Sequence, residues 1–79
     1  MTADSMSPVR WTADRMDQLE NAARRGQRVA LSRRGTEYVV VAVRVQTVDR
    51  HEVLVGWLPM TGEELTFRLD QIDSFQVVG

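Results

Sequence analysis

The stretch that decides the fold of this chain is RVALSRRGTEYVVVAVRVQTV, residues 28–48. Its first five residues alternate between polar and apolar side chains, which predicts a strand with Val29 and Leu31 facing inward. The Arg-Arg-Gly sequence that follows predicts a turn, because Gly35 tolerates a positive φ. The rest of the stretch is rich in valine and predicts a second, longer strand. The stretch therefore reads as a β-hairpin.

The β pattern continues to the end of the sequence. Ala42 and Val43 lie near the middle of the long strand and allow it to bend. Residues 53–58 predict a third strand, in which Gly56 marks a bulge or a close contact. Two more short strands are predicted, at residues 65–69 and at residues 75–78, with a tight turn between them.

Upstream of the hairpin, apolar residues recur with the spacing of an α-helix. Met16, Leu19 and Ala23 recur at spacings of three and four, which is typical of one apolar helix face. Thr12 is a suitable N-cap, and Gly26 is a natural helix terminator. The sequence therefore predicts a helix over residues 13–25.

Together these elements predict a mostly β fold, with an N-terminal α-helix followed by a five-stranded, strongly bent antiparallel barrel. Near-closure is expected because long exposed strand edges promote aggregation, and the helix would cap one open end. Residues 1–10 are expected to form a flexible tail, and residues 11–79 a single helix-plus-barrel domain. The predicted core contains Val29, Leu31, Val53, Val55, Leu65, Phe67 and Ile72.

Composition excludes several classes of protein. The 79 residues are 43% hydrophobic and 27% charged, as in globular domains, and a domain of this size has a thin stability margin. The absence of cysteine excludes a disulfide framework and a thiolate metal site. There is no apolar run of the roughly 18 residues that a membrane-spanning helix needs, and no secretory leader pattern. We therefore expect a soluble, cytoplasmic protein.

Charge is distributed unevenly. Residues 1–34 hold seven arginines and four acidic residues, a net +3, whereas residues 35–79 hold three arginines and seven acidic residues, a net −4. The overall charge of −1 argues against bulk attraction to nucleic acid. All ten basic residues are arginine, which binds carboxylates and phosphates with better-defined geometry than lysine does. Biased coding explains the same inventory, so it assigns no partner by itself.

The sequence offers few residues that are suitably placed for catalysis. The single histidine, His51, lies in a predicted turn and is expected to be solvated rather than bound to a metal. Glu63 and Glu64 are adjacent, so on a strand they point to opposite faces and cannot work as an acid–base pair. Asp70 and Asp73 suit capping of a tight turn. We therefore expect no enzyme activity, no catalytic residues, no metal and no cofactor.

Binding features are more prominent than catalytic ones. A cluster of arginines spans the predicted helix end, the first strand and the following turn. It is a candidate nucleic-acid-binding patch, because arginines bind phosphates. Its members are Arg24, Arg25, Arg28 and Arg34, and Arg33 lies between the last two in the sequence. An acidic stripe on the helix is a candidate protein-binding surface formed by Asp14, Asp17 and Glu20. Trp11 is placed to staple the helix to the sheet, and Trp57 is expected to be half-buried. A solvated rim explains the arginines equally well.

Two short motifs resemble the Rof family. They are Asp17-Gln18-Leu19-Glu20-Asn21-Ala22 and, about fifty residues later, Arg68-Leu69-Asp70-Gln71-Ile72-Asp73-Ser74-Phe75. Rof-like proteins are small bacterial proteins with an Sm-like barrel that bind the hexameric transcription terminator Rho and inhibit it. The resemblance implies that Asp17 and Glu20 contact the partner and block its RNA site. It also implies that the Arg68-Leu69-Asp70 turn is structural.

The second half of the chain also resembles the WYL domain, another Sm-like module of bacterial transcription regulators. Val53-Leu54-Val55-Gly56-Trp57 and Thr66-Phe67-Arg68-Leu69-Asp70 match its strand pair. That resemblance implies a ligand-sensing role, often with nucleic acid as the ligand. The two resemblances agree on the fold and on transcription, and they differ in the partner.

Three hypotheses follow from the sequence. The first is a Rof-like protein that modulates transcription termination by protein–protein contact through Asp17 and Glu20, with the Rho hexamer as the partner that the resemblance implies. The second is an Sm-like or WYL-like module that binds RNA through the arginine cluster and can form a ring-shaped oligomer. The third is a barrel that assembles with another protein through an exposed sheet edge.

Overall fold

A computed structural model describes residues 11–79 of the chain, so the predicted flexible tail at residues 1–10 lies outside the described residues. One helix is followed by five strands and a single-turn 3₁₀ helix. In chain order the elements are α1 (Ala13–Arg25), β1 (Arg28–Arg33), β2 (Thr36–Val48), β3 (His51–Trp57), β4 (Glu64–Arg68), the 3₁₀ helix (Leu69–Gln71) and β5 (Ile72–Val77).

Helix α1 begins and ends at the predicted residues. The backbone N–H of Arg15 donates to Thr12 Oγ1 at 3.2 Å, which satisfies one of the free donors of the first turn. Gly26 ends the helix in the left-handed region with φ of 65°. Leu19, Ala22 and Ala23 are buried, so one face of the helix packs on the sheet and the other faces solvent.

The five strands form one sheet in the order β4-β3-β2-β1-β5, and every neighbouring pair is antiparallel. This confirms the predicted fold class of one N-terminal helix and five antiparallel strands. The two edge strands, β4 and β5, are consecutive in the chain and are joined by a 3₁₀ helix of three residues. Such a short connection brings the two edges to one corner, so the sheet must curl strongly.

Contacts across the curled sheet show the same bend. Tyr38 on β2 meets Phe67 on β4 with ring centroids 5.1 Å apart, although β3 lies between these two strands. The β2–β3 register shifts between Ala42 and Arg44, where the sequence predicted that the strand bends. Within residues 11–79 no ladder joins β4 to β5, so a closed barrel stays a prediction.

A close backbone approach accompanies the bend at Gly56. This residue pairs with Ala42 across β2 and β3. A Cβ at Gly56 would lie 3.0 Å from Val40 Cγ2 and 3.0 Å from the carbonyl oxygen of Val41. The prediction of a close contact at Gly56 is therefore confirmed, and the bulge lies on the opposite strand.

The core contains the predicted residues, and β3 contributes one residue more than predicted. Val29, Leu31, Phe67 and Ile72 belong to the main apolar cluster, and Leu65 packs against it. Leu54 is the β3 residue in that cluster, whereas Val53 and Val55 are buried outside it. Val53 and Val55 are thus buried as predicted, but Leu54 was missed, because β3 is a central strand buried on both faces and polar–apolar alternation does not reveal its inner side.

Candidate interaction surfaces

The solvent-facing side of α1 carries the two residues that the resemblance to Rof-like proteins singles out. Both side chains are exposed; Asp17 lies opposite the buried residues of the helix, and Glu20 lies nearer the edge of the face that packs on the sheet. Among the described residues neither carboxylate takes part in an ion pair. Both charges are therefore available to a partner, on an element that is anchored to the sheet.

Trp11 provides that anchor, as the sequence predicted. Its indole Nε1–H donates to the carbonyl oxygen of Leu69 at 2.9 Å. Its ring stacks on Phe75 with centroids 5.2 Å apart and planes 9° from parallel, and the Arg15 guanidinium lies 4.6 Å from the centre of the Phe75 ring. These contacts fix the start of α1 against the 3₁₀ helix and β5. They also occupy one face of the Trp11 ring.

The arginine cluster is divided between two ends of the hairpin. Arg24 and Arg25 are exposed in the last turn of α1, and Arg28 is exposed at the start of β1. Arg34 is exposed in the turn after β1, with φ of 52°. Because β1 rises about 3.4 Å per residue, its two ends lie about 17 Å apart. The structure thus brings three candidate arginines to one end and leaves Arg34 at the other.

Arg33 is used inside the fold. Its Nη2 donates to the Tyr38 hydroxyl at 3.1 Å. Its guanidinium carbon lies 5.2 Å from the centre of the Tyr38 ring and 5.0 Å from the centre of the Phe67 ring. This side chain therefore covers one end of the core instead of extending the basic surface.

Glu20 lies close to basic side chains. A shallow groove of about 260 Å³ is lined by Glu20 and Arg24 from α1 and by Arg44 from β2, together with Ala23, Val43 and Val45. Arg44 Nε donates to Gln46 Oε1 at 3.0 Å. The C-terminal part of the helix face is therefore mixed in charge, and its N-terminal part, with Asp14 and Asp17, is acidic.

A polar cluster holds the corner between β4 and the 3₁₀ helix. Arg68 binds Asp70 with two hydrogen bonds, Nη2 to Oδ2 at 2.6 Å and Nε to Oδ1 at 3.1 Å. The same Nη2 lies 3.2 Å from His51 Nδ1, which is shorter than the 3.8 Å between Nδ1 and Asp70 Oδ2. Arg68, Asp70 and His51 therefore form one connected polar cluster at this corner.

The hydrogen bond from Arg68, opposed in part by desolvation, holds the pKa of Asp70 below its ordinary value of 3.8. Asp73 has a separate role, since its Oδ2 accepts from the backbone N–H of Gly35 at 3.3 Å. The two carboxylates therefore hold different turns. Within residues 11–79 no group of three or more histidine, cysteine or acidic side chains is arranged to hold a metal ion.

The convex outer face of the sheet carries an apolar patch that the sequence analysis missed. We call Val39, Trp57, Met60 and Val78 the outer apolar patch, and each is exposed. A groove of about 550 Å³ runs beside it and is lined by Arg28, Val39, Leu58, Pro59, Met60 and Thr61. The signal was present in β2, where Val39 lies out of phase with the buried Val40, but a run of valines conceals its own alternation.

The described part of the chain contains no helix that has both the length and the apolar character to cross a bilayer.

Comparison with known proteins shows the fold. No protein-family model matches the chain, and no curated protein matches it. A solved structure, that of proteasome accessory factor B/C (PafBC) of Arthrobacter aurescens, has a similar fold, with a TM-score of 0.71 and 19% sequence identity. The match covers 94% of this chain, which spans 13% of the length of that protein. This likeness supports the WYL resemblance at the level of the fold, and the Rof-like resemblance is not confirmed.

Proposed function

We propose that this chain is a regulatory binding protein that acts by protein–protein contact rather than by catalysis, through the face of α1 led by Asp17 and Glu20. The observation that carries the proposal is that both carboxylates are exposed and, among the described residues, without an ion-pair partner. They lie on a helix whose start is held by the Trp11 contacts. A preorganised acidic face of this kind is complementary to a basic surface.

By resemblance to Rof-like proteins, the partner is the Rho hexamer and the surface is its RNA-binding site. An acidic helix bound there competes with RNA for the same basic residues. Such a complex depends on charge pairs at a solvent-accessible rim, so it weakens as the ionic strength rises. The overall charge of −1 favours this mode over direct binding of RNA by the chain itself.

A second function has its own support. Arg24, Arg25 and Arg28 lie at one end of the hairpin, and the fold similarity to proteasome accessory factor B/C favours a WYL-like module in a regulatory protein. In that case the arginines contact phosphates, and the affinity for RNA falls with salt in proportion to the contacts made. Arg34, at the far end of β1, contributes to such a site only if the RNA follows the whole strand.

A competition experiment separates the two functions. Fluorescence anisotropy of a labelled cytosine-rich RNA, saturated with Rho from the same organism, is followed while this protein is added. RNA with this protein alone gives the baseline. The proposed function expects the anisotropy to fall with a flat baseline, whereas direct RNA binding raises the baseline. If neither signal moves, the proposed partner is wrong.

Charge reversal then tests the site. For the double variant Asp17→Lys/Glu20→Lys, the protein concentration that displaces half of the RNA should rise at least about tenfold, because attraction to a basic surface becomes repulsion. The matched control is Glu37→Lys/Glu63→Lys, which makes the same charge change at two exposed positions outside α1. Equal displacement by both double variants would show that the helix face is not the contact.

A further inference from the structure

Cross-strand register places four side chains in one row on the outer face of the sheet. Arg28 pairs with Val41, Val41 pairs with Trp57, and Trp57 pairs with Glu64. Directly opposed residues of antiparallel strands project from the same face, so a positive end, two apolar centres and a negative end follow one another across β1, β2, β3 and β4. With neighbouring strands about 4.8 Å apart, the row is about 14 Å long.

The outer apolar patch surrounds this row. Trp57 is part of both. Val78 flanks Arg28, because its backbone N–H donates to the Arg28 carbonyl oxygen at 2.9 Å. Val39 is two residues from Val41 on the same face of β2, and Met60, which is 96% exposed, lines the adjoining groove. Of the five large hydrophobic residues exposed within residues 11–79, four therefore lie on this face. Apolar side chains concentrated on one face mark an interaction surface.

We propose that the occupant of this face is a second copy of the same chain, bound about a two-fold axis. The row is self-complementary, because a rotation about an axis between Val41 and Trp57 exchanges its two ends. Arg28 of each copy then meets Glu64 of the other, and Trp57 of each packs on Val41 of the other. An isologous contact requires this property, in which residue i contacts j and j contacts i.

Charge selects this occupant over an unrelated partner. Among the described residues neither Arg28 nor Glu64 takes part in an ion pair within its own chain. An acidic partner would be attracted to Arg28 and repelled by Glu64. A basic partner would be attracted to Glu64 and repelled by Arg28. A second copy matches both ends at once. This inference concerns a different surface from the helix face and does not depend on the proposed function.

The contact is expected to be weak. The row and its apolar surround are small compared with the roughly 800 Å² per partner of a stable interface, and a curved face limits the contact area. We expect a monomer–dimer equilibrium with a dissociation constant on the order of 10 to 100 μM. Sedimentation equilibrium of the full chain over loading concentrations from about 5 μM to 1 mM covers this range.

Charge-swap variants provide the decisive measurement. Arg28→Glu breaks both symmetry-related ion pairs and creates two repulsive ones, so it should raise the dissociation constant at least about tenfold. Glu64→Arg should do the same. The double variant Arg28→Glu/Glu64→Arg restores both pairs with the charges exchanged, and it should return to within about threefold of the original constant.

The control is Arg25→Glu, which makes the same charge change at the end of α1 and should leave self-association unchanged. Circular dichroism checks that each variant is folded, and the exposure of all three residues makes retention of the fold the expectation. Three results would each overturn the proposal. The first is a monomer at every concentration. The second is a double variant whose dissociation constant is no lower than those of the single variants. The third is a rise in the dissociation constant of Arg25→Glu as large as that of Arg28→Glu.

Discussion

At the scale of the residue, Arg68 and Asp70 show how a short motif acquires a structural role. They are two residues apart, and Arg68 reaches over the start of the 3₁₀ helix to bind the Asp70 carboxylate with two hydrogen bonds. His51, from the start of β3, adds a third group to the same corner. The resemblance to Rof-like proteins implied that this turn is structural, and the geometry agrees, because the arginine's donors are directed within the chain.

The lowered pKa of Asp70 gives the first prediction. A carboxyl group whose pKa is lower in the folded state stabilises the fold above its ordinary pKa of 3.8, and this contribution is lost as the pH falls through the lowered value. Replacing Arg68 by Gln removes the positive charge and the paired guanidinium hydrogen bonds to Asp70. The Asp70 pKa, followed by NMR titration of the side-chain carboxyl carbon, should then rise toward 3.8.

Arg44→Gln is the matched control, since Arg44 also binds the residue two positions further along its strand, Gln46. This variant should leave the Asp70 titration where it is in the unaltered protein. An Asp70 pKa that does not move in Arg68→Gln would show that Arg68 is not the cause of the shift.

At the scale of the element, α1 is defined by local signals and held by a distant one. Thr12 and Gly26 set its ends, and both act on backbone groups within a few residues of themselves. Its position depends on Trp11, which contacts Leu69 and Phe75, far along the sequence. An isolated helix of 13 residues is marginal in water, so the tertiary anchor determines whether α1 persists.

A second prediction concerns that anchor. Trp11→Phe keeps an aromatic ring against Phe75 but loses the N–H donor to the Leu69 carbonyl, so the free energy of unfolding should fall by about 1 kcal/mol. Trp11→Ala also loses the stacking, so the loss should be about 2 kcal/mol or more. Urea unfolding followed by far-UV circular dichroism measures both values.

Trp57→Phe is the matched control, because it makes the same substitution at a tryptophan that has no such hydrogen bond among the described residues. Trp57 is 37% exposed, and within the described residues its indole makes no hydrogen bond of the kind that Trp11 makes. Its effect on stability at low protein concentration should stay within about 0.5 kcal/mol. If the two Phe variants lose the same amount, the bond to Leu69 is not what anchors the helix.

At the scale of the whole molecule, the curl of the sheet joins residues that are remote both in the chain and in the sheet order. Arg33 on β1 lies against Phe67 on β4, although β2 and β3 lie between these strands. The three-residue connection between β4 and β5 leaves the sheet no flat alternative. Small residues at the bend, Ala42 and Gly56, allow the strands to approach.

This arrangement predicts energetic coupling across the sheet. A double-mutant cycle of Arg33→Met and Phe67→Leu should show an interaction energy of about 0.5 to 1 kcal/mol, since the cation–π contact and its surroundings are lost together. The same cycle with Arg34→Met should show an interaction energy close to zero, because Arg34 is an exposed turn residue and the contact with Phe67 is made by its neighbour, Arg33. Equal coupling in the two cycles would contradict the contact as its source.

The sequence by itself determined the helix, its two ends and the presence and order of the five strands, whereas β3 begins at His51 and β5 at Ile72, both earlier in the chain than predicted. Each of these depends on signals that act over a few residues: a cap, a glycine with positive φ, or a change of period from 3.6 to 2. The same signals indicated the close contact at Gly56 and the stapling role of Trp11.

Only the tertiary structure decided which side chains share a surface. Arg33 and Arg34 are adjacent in the sequence, yet one covers the core and the other is exposed, because Arg33 meets rings on β2 and β4. Arg28 and Glu64 share a row because three strand pairings relate them. Register across a sheet is set by the packing of the whole core, and a one-residue shift would move these side chains to the opposite face. For that reason the candidate surfaces depended on the fold, whereas the elements that carry them did not.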